Sequence, residues 1–438
     1  VPPWRHPGFF FSPQIEVCMS RFRMVVALAT IYMVFAILLN SVGTVILQSI
    51  HTFGIDKPQA SLLELFKDLP IAVTSFLVAS FLPRLGYRRA MMLALCIVGG
   101  ACMLMPLYPS FHTTELLFTC IGVSFALAKV SVYSSIGLLT RDKAEHGRLT
   151  NTIEGLFMLG VLASGWIFSV FIDHANPANP SWFNVYWLLA VLCLGTVALL
   201  YGAQLDESAA HGEARLSIGQ AMRDMYRLMM RTLVYVFLLS AFLYVLIEQS
   251  FSTWLPTFNN EILKLPNAMS IQMASILAGT TALGRILAGQ LLRRMHWHTL
   301  LNLCVIGMGL LIVSVLPLAS HSPSFAPSGW LDAPLAAYLI PLIGLLMAPI
   351  YPVINSVALS SLPKPTHAAM TGLIVIFSAL GGTLGSRITA LVFASFGGIH
   401  AFYFSLVPMT LILVTLFLFK RETDRAGTTV LPAPEGAA

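Results

Sequence analysis

Apolar runs of bilayer length recur along this chain, separated by short polar breaks. They fall at about 24–47, 60–82, 90–108, 115–140, 150–172 and 183–202. After a polar interval at about 204–231, six more fall at about 232–257, 270–292, 297–318, 334–360, 367–393 and 400–419. A helix crosses a bilayer core with roughly 20 apolar residues. The pattern therefore predicts an all-α polytopic membrane protein with twelve transmembrane helices, six plus six. Within the polar interval, Ile218, Met222, Met225 and Met229 share one helical face, with Arg223, Asp224 and Arg227 elsewhere. That spacing predicts a short amphipathic helix lying on the inner membrane surface.

The loops orient these helices. Arg21 and Arg23 precede the first run; Arg84, Arg88 and Arg89 follow the second; Arg141, Lys143 and Arg148 follow the fourth. Arg215, Arg223, Arg227 and Arg231 fill the central interval. Arg293 and Arg294 follow the eighth run, Lys364 the tenth, and Lys420, Arg421 and Arg425 the twelfth. The alternate loops hold Lys57 and Lys264. Lys and Arg are retained on the cytoplasmic side, so both termini are expected there. The expected organisation is a cytoplasmic segment 1–20, a six-helix bundle 21–203, a linker 204–231, a second bundle 232–420 and a disordered tail 421–438. Met19 is a plausible start, and the residues before it lack the order of a signal peptide.

Composition agrees. Of 438 residues, 57% are hydrophobic and 10% charged, against about 25% charged in soluble domains; mean hydropathy is +0.81. The net charge of +6 is spread over loops, which does not suit nucleic-acid binding. Of the six cysteines, all but Cys18 lie in apolar runs and none forms a CxxC pair, so neither a disulfide framework nor a zinc site is expected. There is no nucleophile motif, metal-ligand spacing or nucleotide-binding loop. No cofactor and no enzymatic activity are expected.

Two six-helix halves joined by a cytoplasmic linker resemble the major facilitator superfamily, from about Arg21 to Lys420. That family carries G-x-x-x-D-R-x-G-R-R/K after its second helix. Here the stretch is Ala79-Ser80-Phe81-Leu82-Pro83-Arg84-Leu85-Gly86-Tyr87-Arg88. Arg84, Gly86 and Arg88 fit, and the leading Gly and the Asp do not. The resemblance implies a gating motif here, with Arg285 of Gly284-Arg285 as its counterpart in the second half. Helix 7 (Phe242–Phe258), Ala348–Ser356 and Met370–Gly385 further resemble the fucose–galactose–glucose:proton symporters. The resemblance places an acid before a Trp in helix 7, as Glu248 precedes Trp254, and an aromatic-Pro turn in helix 10, as at Tyr351-Pro352. The first half departs: Asn40 is followed by Ser41 rather than Asp, and Lys129 stands near where those symporters carry an acid.

The ionisable residues within the spans are Glu64, Lys67, Asp68, Lys129, Glu154, Glu248, Arg285 and Arg387. A charge inside a bilayer marks a functional site or a helix-packing ion pair. Asp68 lies 16 residues from Arg84, roughly 24 Å from the inner surface at 1.5 Å per residue. Lys129 lies 12 residues from Arg141, roughly 18 Å by the same rise. The two are therefore expected to face a common cavity. Glu64 and Lys67 sit near the outer surface and can snorkel. Glu248 can bind sugar hydroxyls or carry a proton, and Trp254 can stack on a sugar face. Glu154, in the first turns of helix 5, can simply complement the helix N-terminus. Arg387 can meet an anionic solute or snorkel. Asn40, Asn355, Tyr133 and Tyr351 complete the candidate set for binding or coupling. The Gly381–Gly385 run suits helix packing.

The expectation is a secondary active transporter in a bacterial cytoplasmic membrane, working as a monomer. It would move a small polar solute, a sugar or sugar derivative first, with a proton as its partner, carried by Asp68, Glu248 or Glu154. An organic-anion transporter and a drug exporter are the rivals on the same fold; a non-transporting receptor or lipid-handling protein stands further off.

Overall fold

A computed structural model describes residues 13–140, 142–173, 175–203, 205, 207, 218–320, 327, 329–363 and 366–430. The regular elements among them are helices. The first half comprises α1 (Pro13–Asn40), α2 (Val42–Phe53), α3 (Lys57–Ala60), α4 (Leu62–Leu85), α5 (Tyr87–Leu107), α6 (Phe111–Leu139), α7 (Lys143–Val170) and α8 (Val185–Tyr201). Then comes α9 (Ile218–Met229). The second half comprises α10 (Thr232–Glu261), α11 (Asn267–Ala274), α12 (Ile276–Leu291), α13 (Trp297–Ser320), α14 (Leu335–Leu339), α15 (Ile343–Met347), α16 (Ile350–Ser360), α17 (His367–Phe396), α18 (Gly398–Phe404) and α19 (Leu406–Val430).

Eleven helical segments among the described residues are long and apolar enough to cross a membrane. The remaining one of the twelve expected positions is filled by α4, whose 24 residues extend about 36 Å at 1.5 Å each. Side-chain oxygens fix several starts. Ser110 accepts from Thr113 N at 3.1 Å, opening α6, and Asp142 from Glu145 N at 2.7 Å, opening α7. Each caps an orphan donor of the first turn.

Several expected spans are broken. The first divides at Ser41, the eighth at Ser275 and the twelfth at Ser405. At each break the serine hydroxyl donates to the carbonyl three residues back: Leu38 at 2.7 Å, Gln272 at 2.6 Å and Phe402 at 2.6 Å. Such back-bonding competes with the helical ladder and bends it. The tenth span is split into α14, α15 and α16 around Pro341 and Pro349, because proline removes a donor and clashes with the preceding turn.

Two further differences concern the linker and tail. α9 exists, but among its described side chains Met225 and Leu228 are the buried ones, and Met222 is exposed. Met225 lies against Gly372, so this face docks on α17. The tail continues as helix to Val430 rather than becoming disordered at 421. Arg425 pairs with Glu422 at 2.8 Å one turn back, a spacing that supports helix. Residues 431–438 lie outside the described residues.

Among the described residues, Arg387 lies toward one side of the bundle, while Arg21 and Arg23 in the N-terminal half of α1 and Arg88, Arg89, Arg231, Arg293 and Arg294 at or beside helix ends fall on the other. There Arg21 donates to the Leu139 carbonyl at 2.9 Å and pairs with Glu145, so the start of α1, the end of α6 and the start of α7 meet. At the opposite end the two halves close on each other. α2 packs on α10, α3 and α4 on α17, and α7 on α11 and α12. Lys57 pairs with Glu261 at 3.0 Å, and Trp166 stacks on Trp330 with ring centroids 5.4 Å apart. Toward the arginine-rich end, Asn151, Thr152 and Gly155 of α7 and Thr371 of α17 are exposed.

Candidate functional site

Each half contributes a cation, a tyrosine and a carboxylate at the middle of its spans. In the first half, Lys129 and Tyr133 lie one turn apart on α6. Tyr133 donates its phenol to Glu154 Oε1 of α7. Lys129 is exposed, stands 5.7 Å from the centroid of the Phe125 ring and interacts electrostatically with Glu154. Behind them, Tyr32 of α1 packs edge-on against Tyr133 at 6.0 Å and Phe157 at 5.6 Å. Glu154 is not a helix-start carboxylate. α7 begins at Lys143, which puts Glu154 about three turns in, beyond the reach of the terminal partial charge.

In the second half, Tyr244 donates to Glu248 Oε1 at 3.1 Å along α10. Its ring stacks on Tyr351 of α16 at 5.4 Å, and the Tyr351 hydroxyl meets Ser378 Oγ of α17 at 2.8 Å. Asn355 lies beside Tyr351. Arg285 of α12 is exposed and interacts electrostatically with Glu248. It also crosses to the first half, where Nη1 donates to Met158 Sδ at 3.3 Å. The structure thus brings Glu248 and Tyr351, two separately named candidates, together. Tyr32, Tyr244, Phe157, Met158 and Ser378 were not singled out from sequence. Only Tyr244 carried a signal, four residues before Glu248 on one helical face.

The acid–base–acid run of α4 belongs to the closed seam instead. Glu64 is fully buried and Lys67 is 5% exposed, so neither snorkels. Lys67 pairs with Glu64 and stands 3.6 Å from Asp68 Oδ1. From the other half, Thr253 donates to Glu64 Oε1 and Gln249 to Oε2 at 3.2 Å. Asp68 Oδ2 lies against Gly382 of α17.

Asp68 and Lys129 therefore sit in different clusters, contrary to expectation. The register of α4 against α6 explains it. Gly122 of α6 packs on the backbone of Lys67–Ile71. Lys129 lies seven residues beyond Gly122, about 10 Å nearer the arginine-rich end at 1.5 Å per residue. Distances counted from the basic loops underestimated this offset.

Three other expected ligands have structural partners. Trp254 is fully buried, with Nε1 donating to the Ser386 carbonyl at 3.0 Å and its ring 5.9 Å from Phe393. It packs α10 on α17, and no face is open to a solute in this conformation. Arg387 donates to the Pro58 carbonyl and, at 3.3 Å, to Ser61 Oγ, tying α17 to the α3–α4 turn. Asn40 turns back to the Ala36 carbonyl at 2.9 Å.

At the arginine-rich end, Gly86 links α4 to α5 at φ 85°, a region where a Cβ is strained. Glu207 accepts from Tyr87 N and Arg88 N, both at 2.9 Å, and Arg88 Nη1 donates to the Ala203 carbonyl at 2.7 Å. A carboxylate on the first amides of a helix is favourable. Glu207 is distant in sequence, so only the fold reveals it. The Arg84 side chain lies outside the described residues.

The sequence matches the family described as Major Facilitator Superfamily over residues 25–386. No curated protein matches it. Among solved structures, it is similar to the nucleoside transporter NupG, with TM-score 0.70 and 14% identity over 91% of this chain and 99% of that one. A bacterial homologue of the human lysosomal transporter Spinster, inward-facing and unoccupied, gives 0.69 and 14% over 95% and 99%. The E. coli fucose:proton symporter FucP gives 0.59 and 16% over 92% and 99%. At these identities the likeness is one of fold.

Proposed function

The chain belongs to the Major Facilitator Superfamily, and from that premise we propose that it is a proton-coupled secondary transporter of a small polar solute, working by alternating access. The observation that carries this reading is the pair of cation–tyrosine–carboxylate sets at mid-span, one from each half, with Lys129 and Arg285 exposed. Charges at that depth are costly in lipid and belong to a watery passage. Transporters of this build bind solute near the midplane, between halves that rock against each other. The seam at one end and the exposed α7 and α17 residues at the other suit the state open toward the arginine-rich side.

That side is cytoplasmic in this reading, by the retention of Lys and Arg there. The membrane is a bacterial cytoplasmic membrane, and the protein acts as a monomer. Glu248 and Glu154 are the proton-carrying candidates in the cavity. A sugar or sugar derivative is the first solute class, supported by the helix 7 and helix 10 resemblance and by a fold shared with FucP.

The test is uptake into proteoliposomes holding the purified protein, with and without an inward proton gradient. Accumulation that follows the gradient, and counterflow without it, are expected. No counterflow of any sugar, organic acid or drug would leave a receptor or lipid-handling role standing. Single cysteines in a cysteine-free background test the orientation. A membrane-impermeant maleimide applied from outside should mark Pro177→Cys and leave Tyr226→Cys unlabelled.

A further inference from the structure

Lys129 and Arg285 carry hydrogen-bond capacity that the protein does not use. Among the described residues neither takes part in an ion pair within 4.0 Å. Lys129 has the face of Phe125 beside it, and Arg285 reaches the Met158 thioether. An ammonium brings three donors and a guanidinium five, and a thioether is a weak acceptor. The nearby carboxylates are partly engaged, since Glu154 takes the Tyr133 phenol and Glu248 the Tyr244 phenol. Among the described residues, neither cation has a hydrogen bond to a carboxylate.

The two cations come from opposite halves and converge on one turn of α7. Arg285 touches Met158, and Lys129 interacts with Glu154, one turn earlier on the same helix. We infer that the solute carries a carboxylate, held between Lys129 of the first half and Arg285 of the second. This rests on the transport reading above and names the solute class for that same site. A planar guanidinium binds a carboxylate through two parallel hydrogen bonds, and such a bond would replace the Met158 contact.

Charge balance then supplies the coupling. With Lys129, Arg285, Glu154 and Glu248 all ionised, the set is neutral, and an anion brings it to minus one. A proton on either glutamate restores neutrality. Anion and proton therefore favour each other's binding, and by linkage the effect is reciprocal. The groups facing Glu248 are Tyr244, Arg285, Lys67 and Tyr351; those facing Glu154 are Tyr133 and Lys129 of α6 and Tyr32 of α1. Acidification should tighten the carboxylate and leave a neutral sugar unaffected.

The experiment is thermal stabilisation and counterflow with matched probes: D-glucuronate against D-glucose, D-gluconate against D-sorbitol, L-lactate against 1,2-propanediol, and inorganic phosphate alone. At least one carboxylate should stabilise the purified protein and drive counterflow, more strongly at pH 6 than at pH 8, while its neutral partner does neither. Lys129→Gln and Arg285→Gln should each weaken that carboxylate about tenfold or more, and Lys129→Arg should recover most of the loss. Gel filtration checks that each variant folds. Counterflow of a neutral member with no carboxylate effect overturns the inference and leaves the transport reading intact. Phosphate acting alone overturns the carboxylate assignment. Binding and counterflow by no probe overturns the carboxylate inference, while the transport reading stands or falls by the wider solute test given above.

Discussion

Thr253 on α10 donates its hydroxyl to Glu64 on α4, one half of the molecule to a fully buried carboxylate of the other. Gln249, one turn back on α10, reaches the second oxygen of the same group. Lys67 supplies the counter-charge from within α4. A buried carboxylate loses its solvation and depends on such partners. Separating the halves at this end would take both α10 donors from Glu64 and admit water in their place.

Thr253→Val keeps the shape and removes one donor to a charged acceptor, worth about 1.5–3 kcal/mol. The balance between closed and open seam should shift by roughly 10- to 150-fold. Spin labels at Pro177 and Leu331, both exposed and on opposite halves, measure it by their distance distribution. A longer-distance population should grow in the variant. An unchanged distribution would show that the seam does not depend on this bond.

The α10–α17 packing gives a prediction with its own control. Gly381 and Gly385 set α17 directly on the carbonyls of Phe242 and Leu246. A methyl at Gly385 would meet the Leu246 backbone, which cannot rotate aside. Gly385→Ala should cost about 1–3 kcal/mol through forced displacement of the helices and lower the melting temperature in detergent. Gly100 has open space around it and lies inside α5, where Ala is the better helix former, so Gly100→Ala should hold or raise the melting temperature. Equal behaviour of the two would refute the packing argument.

The twelve-helix plan was legible because lipid imposes one requirement on every span, an apolar helix of fixed length. The site was legible where both partners lie on one element, as with Tyr244 and Glu248. It was not legible where partners meet through tertiary register. The Asp68–Lys129 pairing failed because depth was counted along each helix separately, while the close approach at Gly122 fixes α4 against α6. Trp254 failed for a related reason: sequence shows an aromatic near an acid but not that its indole meets Ser386. The serine breaks were hidden because a serine back-bonding to its own helix leaves no compositional trace.

Glu207 offers a test of the cytoplasmic motif. In the family pattern an acid precedes the arginine, and here Pro83 holds that place. Glu207, from beyond α8, instead supplies a carboxylate, and it binds the first amides of α5. Glu207→Gln should retain one acceptor, and Glu207→Ala none. Stability should fall in that order, by about 1–2 kcal/mol for Ala, the range for loss of a helix cap. Gly86→Ala should also destabilise, because φ 85° is unfavourable once a Cβ is present. Thermal melts of the three variants measure this. Equal stability of Glu207→Ala and the parent protein would reduce the contact to an incidental one.

Glu248 tests coupling itself. Its Oε1 accepts from Tyr244, and Arg285 and Lys67 are its electrostatic neighbours. Gln keeps the shape and one acceptor and imitates a protonated Glu that cannot release its proton. Glu248→Gln should therefore abolish accumulation driven by a proton gradient. Exchange of labelled for unlabelled solute should survive, because exchange needs the cavity to reorient but no net proton movement. The alternative roles give different patterns. If Glu248 bound the solute directly as a carboxylate, Gln would remove a charge-assisted bond worth about 1.5–3 kcal/mol, and exchange at low solute would fall by roughly 10- to 150-fold. If it were only a packing group, yield and melting temperature would fall first. Measuring exchange, gradient-driven uptake and the melting temperature of one variant separates all three. Undiminished accumulation would remove Glu248 from the coupling path and leave Glu154, bonded to Tyr133 beside Lys129, as the cavity carboxylate that takes the proton.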